Sequence, residues 1–153
     1  MKITELVKIL KPDLFIPEMQ SGTKPAVLEE LVQPLVAGGF VRSKGLVIET
    51  LSKRETLGST GIGKGVAVPH CRTLAVSDLH IVIGVSKKGV DFDALDKKPA
   101  QLFFLIVAPP LDGNNLYLPV LGKVVESVRD SKLRQAMIAA PDFGSFLKAI
   151  QGG

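Results

Sequence analysis

Most of the residues in this chain whose types can do chemistry fall in one stretch, residues 54–72 (RETLGSTGIGKGVAVPHCR). Gly58, Gly61, Gly63 and Gly65 lie within eight positions. That density disfavours helix and strand, and it leaves successive backbone N–H groups free to converge on an anion. Ser59 and Thr60 add hydroxyl donors, and Arg54, Lys64 and Arg72 add positive charge, so the composition suits a phosphate. His70 closes the stretch behind Pro69, whose ring fixes φ and holds Val68 extended, so the imidazole is presented from stiff backbone at the end of a strand. A neutral imidazole nitrogen is a competent nucleophile toward phosphorus. Phosphoryl transfer to it needs alignment, with N–H donors and cations around the three equatorial oxygens. The candidate acceptor is therefore His70, with Ser59, Thr60, Gly61, Ile62 and Gly63 as candidate phosphate-binding residues. The plainer alternatives are a surface connection that needs tight turns and a histidine that only hydrogen-bonds a loop.

Other chemistries fit less well. Residues 58–64 (GSTGIGK) match the first seven positions of a nucleotide-binding P-loop. Gly65 then stands where a hydroxyl must hold magnesium, and VAVP reads as strand where the motif requires a helix N-terminus. Cys71 beside His70 suggests a Cys/His nucleophile, but neighbours in extended chain point to opposite faces. His80, at the head of the apolar residues 81–85, reads as a structural or rim histidine. One cysteine and two histidines do not make a zinc set. Asp91, Asp93 and Asp96 read as solvated turn residues.

These residues need a scaffold, and the rest of the chain supplies a regular one. A chain of 153 residues, 46% hydrophobic and 22% charged, is expected to fold as one domain over residues 1–153 and to need no disulfide or metal for stability. Its longest apolar run, residues 102–108, falls far short of the ~20 residues that span a bilayer. Residues 1–11 carry charge among the apolar positions and no small-residue cleavage site. The expectation is a cytoplasmic protein with no membrane insertion, in keeping with a lone cysteine. Net charge is +4, but the basic residues are scattered and there is no Trp, which argues against a nucleic-acid partner.

Thr23-Lys24-Pro25 signals a helix start, followed by apolar residues at helical spacing through Val36, with Pro34 expected to kink or break it. A second helix is predicted from Ser43 to about Thr56. Residues 66–68, 79–85 and 101–108 read as strands, with a short extended piece at 90–92. Helical spacing returns from Leu118, again after Ser131 and after Asp142. Helices flanking a central sheet define an α/β fold.

The chain resembles the enzyme IIA domain of the bacterial phosphoenolpyruvate-dependent phosphotransferase system, fructose/mannitol type, over nearly its whole length. RETLGSTGIGKGVAVPH is similar to that family's Arg-Glu, Ser-Thr-Gly-Ile-Gly and Pro-His signature around a phosphorylated histidine. DFDALDKKPAQLFFLIVAPP resembles its next block, an acidic turn leading into an apolar strand that ends in Ala-Pro. The resemblance implies a three-layer fold, a mixed central β-sheet flanked by helices on both faces. It also implies a phosphotransferase component: His70 takes a phosphoryl group from a histidine phosphocarrier protein, Arg54 stands beside it, and no metal, nucleotide or other cofactor takes part. Phosphoenolpyruvate is the remote donor.

One departure bears on function. The family often carries a second active-site histidine shortly before a Leu-x-x-Leu stretch, and here Tyr117 precedes LPVL. A tyrosine can donate a hydrogen bond to phosphate but carries no positive charge, so it is a partial substitute and bears on onward transfer more than on the first phosphorylation. Sugar-transport members pass the group to a IIB component, whereas nitrogen-related members bind regulatory target proteins according to their phosphorylation state. With no IIB or membrane portion and an altered second position, this chain is expected on the regulatory branch. The alternatives are a sugar-uptake component feeding a separate IIB protein and a non-catalytic binding module.

Overall fold

The computed structural model describes residues 1–152. Five helical signals in the sequence become helices. Thr23 Oγ1 accepts the Ala26 N–H and starts α2 (Lys24–Ala37), after a short α1 (Ile3–Ile9), and Ser43 caps α3 (Lys44–Thr56) in the same way. Beyond the strands come α4 (Tyr117–Ser127), α5 (Ser131–Ala139) and α6 (Phe143–Ile150), the last two capped by Asp130 and Asp142. Helix α2 runs unbroken through Pro34, contrary to the expected kink or break. The proline sits in the last turn, where a single i→i−4 bond is forfeited, and its carbonyl still accepts the Gly38 N–H at 3.0 Å.

The sheet is mixed and has six strands: β1 (Phe15–Ile16), β2 (Gly61–Gly63), β3 (Val66–Ala67), β4 (His70–Arg72), β5 (His80–Val90) and β6 (Ala100–Ala108). Its order is β1-β5-β6-β3-β2, and β4 pairs with β6 further along the edge that β3 uses. Strands β3 and β4 run parallel to β6 in one register, Ala67 opposite Phe103 and His70 opposite Ile106. Pro69 interrupts them because it has no N–H to donate, while its carbonyl accepts from Ile106 at 3.0 Å. The glycine-rich stretch does contain a strand, β2, despite the expectation that its glycines would exclude one. The separate extended piece at 90–92 is instead the end of β5, with Phe92 buried beyond it.

Period-two alternation on β6 divides the interior. Leu102, Phe104, Ile106 and Ala108 face α1, α4, α5 and α6, while Phe103, Leu105 and Val107 face α2 and α3. The outcome is a helix–sheet–helix sandwich, the three-layer α/β arrangement. The same alternation places Val66 and Val68 on the α4 side and Ala67 and Cys71 on the α2/α3 side. His70 and Arg72, in step with Val68, therefore emerge on the α4 side of β4.

Tight packing between sheet and α2 is tested at Gly84, where an added Cβ would run into Met19 Sδ and lies 2.9 Å from Leu31 Cδ2. Gly84→Val is expected to lower stability by about 1–3 kcal/mol, the cost of overpacking a filled core. Urea unfolding followed by far-UV circular dichroism measures it.

Candidate active site

His70 is half-buried at the start of β4, and its ring makes one short contact: Nδ1 lies 2.7 Å from the Val68 carbonyl. A carbonyl can only accept, so Nδ1 carries the hydrogen and donates it. In the neutral ring the other nitrogen, Nε2, then keeps its lone pair. The contact spans two residues: Pro69 separates donor and acceptor, and its fixed φ limits how the Val68 carbonyl and the ring can be placed relative to each other.

The groove onto which His70 opens holds about 580 Å³ and lies between α3 and α4. From α3 come Thr50, Lys53 and Arg54, with Leu57 just beyond; from α4 come Tyr117, Leu118 and Leu121; β4 forms the floor. Two guanidinium groups enter it. Arg54 donates from Nη1 to the Gly58 carbonyl at 2.9 Å, which ties the side chain to the turn after α3. Arg72, two residues past His70, lies over the Tyr117 ring with Cζ 4.3 Å from the centroid, a cation–π contact, and reaches the Pro110 carbonyl at 3.4 Å. The groove lining contains no carboxylate.

Tyr117 stands beside His70, their ring centroids 6.2 Å apart. Burial pushes its phenol up to about 12, the Cys71 thiol adds to the rise, and Arg72 and Arg54 pull the other way. The hydroxyl therefore stays protonated, a donor at any physiological pH. Its position is set by Asp112, whose Oδ2 accepts the N–H groups of Leu116 at 2.6 Å and Tyr117 at 3.1 Å. A carboxylate there also meets the positive end of the α4 dipole. Residues 111–115 (LDGNN), through Asp112, thus anchor the point where Tyr117 enters the groove.

The glycine stretch is placed differently from the sequence expectation. Of Ser59, Thr60, Gly61, Ile62 and Gly63, none lines the groove at His70. The Thr60 N–H is taken by Glu55 Oε2 at 3.2 Å, its hydroxyl also hydrogen-bonds Glu55, and the Gly61 N–H is taken by Ser59 Oγ at 3.0 Å. Ser59 Oγ in turn donates to the Phe92 carbonyl. Thr60 and Gly61 therefore have no amide to offer an anion in this arrangement. Ile62 and Gly63 border a separate depression of about 180 Å³ with Lys64, Val66, Val125 and Arg129. At Gly61 the requirement for glycine is close approach, not a positive φ: an added Cβ lies 3.0 Å from Ala94 Cα and 3.1 Å from the Phe92 carbonyl.

The remaining sequence candidates separate cleanly. Cys71 points into the α2/α3 core, where burial pushes its thiol up to about 12, so it offers no thiolate to a neighbour. His80 is buried against Phe40 with ring centroids 4.7 Å apart. Burial, then Lys11, lowers its pKa against the opposing pull of Asp78. The P-loop fails on geometry, since β3 follows Lys64 where a helix is required. Among the described residues no group of three or more His, Cys, Asp or Glu is placed to hold a metal, and no helix is long and apolar enough to cross a membrane.

A family model described as "Phosphoenolpyruvate-dependent sugar phosphotransferase system, EIIA 2" matches residues 8–152. The chain belongs to that family. It is 32% identical over 140 residues to the fructose-specific EIIA component of Haloferax volcanii, covering 92% of this chain and 90% of that protein. It is 35% identical over 150 residues to the fructose-specific EIIABC component of Bacillus subtilis, covering 98% of this chain and 23% of that longer protein. The crystal structure of the nitrogen regulatory protein IIA-Ntr from Neisseria meningitidis superposes with a TM-score of 0.86 at 29% identity, covering 95% of this chain and 99% of that one. The EIIA family is one of phosphotransferase components, and its sugar-specific and nitrogen-regulatory members are both similar to this chain.

Sequence reasoning counted Arg72 among the cations but did not place it at the site. The signal was available, since two residues on a strand share a face and His70 and Arg72 are so spaced. Asp112 carried a weaker signal, an acid in a turn five residues before a helix.

Tyr117 is the only tyrosine and the chain has no Trp, so ultraviolet titration reads this residue alone. Near pH 10.5, where a free tyrosine is mostly ionised, Tyr117 is expected to be almost wholly protonated. The same raised pKa adds stability that is complete below pH 10 and is lost as pH rises toward about 12, because the folded state holds the proton longer than the unfolded chain. A midpoint near 10 in protein shown to be folded would contradict the buried placement.

Proposed function

We propose that this chain accepts a phosphoryl group on His70 Nε2 from a phosphohistidine of a small phosphocarrier protein. One observation supports this above the others: the Nδ1–H donated to the Val68 carbonyl, which leaves Nε2 unprotonated at the groove. In the transfer the Nε2 lone pair forms a new P–N bond as the P–N bond to the donor ring breaks. The donor leaves as neutral imidazole, and the positive charge moves to the His70 ring, where the Val68 carbonyl steadies the Nδ1–H. Arg54 and Arg72 are the cations within the groove for the equatorial oxygens, and the Tyr117 hydroxyl is a neutral donor beside them. Cation–π contact holds Arg72 over Tyr117, so a phosphoryl group meets a guanidinium already in place.

For the fate of the group, we favour a regulatory phospho-switch in the cytoplasm. Tyr117 cannot carry the charge that a second histidine would, and its phenol stays neutral. A phosphoryl group changes the charge of the groove by about −1.5 to −2, enough to alter the affinity of a protein docked there on the exposed Leu57 and Leu118. The second reading is sugar uptake through a separate IIB protein, favoured by the similarity to fructose-specific EIIA from Haloferax volcanii.

Incubation with phosphoenolpyruvate, the general phosphotransferase enzyme and the phosphocarrier is expected to add one acid-labile, alkali-stable phosphoryl group, detected by intact mass. His70→Ala abolishes it, and undiminished labelling of that variant would rule the assignment out. Arg54→Ala and Arg72→Ala are each expected to slow labelling by about 10²-fold while the fold is kept. Adding a fructose-type IIB protein distinguishes the two fates: loss of label from the chain supports uptake, and retention supports the switch.

A further inference from the structure

Glu55 is next to Arg54 in sequence, yet it faces away from the groove, with its side chain only 6% exposed. Its carboxylate is fully engaged. Lys24 Nζ, from the start of α2, lies 2.9 Å from Oε2, and the Thr60 N–H and hydroxyl both donate to the two oxygens. Lys24 is held in turn by Asp93 at 3.4 Å and over the Phe92 ring, with Nζ 4.7 Å from the centroid. A buried carboxylate with an ion-pair partner and two further donors is costly to disturb, so Thr60 is held firmly.

Thr60 passes this constraint on through its other backbone group. The Thr60 carbonyl accepts the Val68 N–H at 2.9 Å, and the Val68 carbonyl accepts His70 Nδ1–H at 2.7 Å. An unbroken line of hydrogen bonds thus runs from the Lys24–Glu55 pair through Thr60 and Val68 to the imidazole. Each donor in it points toward Glu55, and because the links are joined through the Cα atoms of Thr60 and Val68, what the line passes on is backbone position: it fixes where the Val68 carbonyl stands.

We propose that Glu55 is a positioning residue for His70: through Thr60 and Val68 it fixes the Nδ1–H tautomer and the direction of Nε2. The role is separate from phosphate contact, because neither Glu55 nor Thr60 lines the groove. It also gives the Arg-Glu pair at the end of α3 a division of labour, with the arginine turned to the groove and the glutamate to the backbone behind the nucleophile. The inference rests on His70 as the phosphoryl acceptor only for its kinetic consequence; the tautomer is set whether or not transfer occurs.

The test uses nitrogen-15-labelled full-length protein and long-range proton–nitrogen spectra at neutral pH, in which protonated and bare ring nitrogens have distinct shifts. Wild type is expected to show His70 as the Nδ1–H form. Glu55→Gln and Thr60→Val are expected to show a mixture of both tautomers, and Thr60→Ser, which keeps the hydroxyl, to return to the single form. Labelling by the phosphocarrier should slow by about tenfold to a hundredfold in the first two variants and recover in the third. A purely structural role would change the urea midpoint and leave the tautomer as it was. If Glu55→Gln fails to fold, Thr60→Val is read alone. Wild-type tautomer populations in whichever variant folds would overturn the proposal. A shifted tautomer in a protein that is never phosphorylated would keep the relay and remove the functional reading instead.

Discussion

The arrangement at the groove depends on one hydrogen bond, from His70 Nδ1 to the Val68 carbonyl. An imidazole has two nitrogens of nearly equal basicity, and an unrestrained ring would share its hydrogen between them. Giving that hydrogen a fixed carbonyl partner makes the nitrogens chemically different: one becomes a donor directed inward, the other a bare base directed outward. Pro69 makes the geometry cheap, because a residue with fixed φ and no N–H can interrupt the strand without leaving a donor unpaired.

Sheet topology then decides what the outward nitrogen meets. Strands β3 and β4 keep a common register along β6, so the break at Pro69 turns the chain without shifting which face each residue takes. His70 and Arg72 are thereby delivered to the same side, against the start of α4. The groove lies where α3 and α4, from opposite layers, both border β4. The Asp112 carboxylate fixes the entry of α4, and the buried phenol of Tyr117 supplies a neutral wall against which a guanidinium can stack. Positive charge without a carboxylate in the lining suits this groove to an anion.

Much of this was legible from residue order. Caps at Thr23, Ser43 and Asp142 are local interactions, and each marks its helix start; α5 is capped by Asp130, one residue before the Ser131 that the sequence pointed to. The unbroken apolar run of residues 102–108 needs no partner to be recognised as a strand buried on both faces. Short elements were harder to read. α1, β1, β2 and β4 have seven residues or fewer, and their stability comes from the neighbours they pair with, which a linear pattern does not display. Pro34 was misjudged for the same reason: its cost depends on how many turns follow it.

The glycine stretch shows most clearly where residue types stop being enough. Residue types alone established a polar, flexible, cation-flanked segment ending in a rigidly presented histidine, and the ordered motifs RETLGSTGIGKGVAVPH and DFDALDKKPAQLFFLIVAPP carried the family resemblance that the comparison bears out. Which N–H groups remain available was decided in three dimensions. Glu55, on a helix, reaches the Thr60 amide, and Ser59 closes onto Gly61, so the loop spends its donors on holding itself and the backbone behind His70. Hydrogen-bonding capacity belongs to a residue type, whereas its vacancy depends on what the fold has brought within 3 Å or so of it.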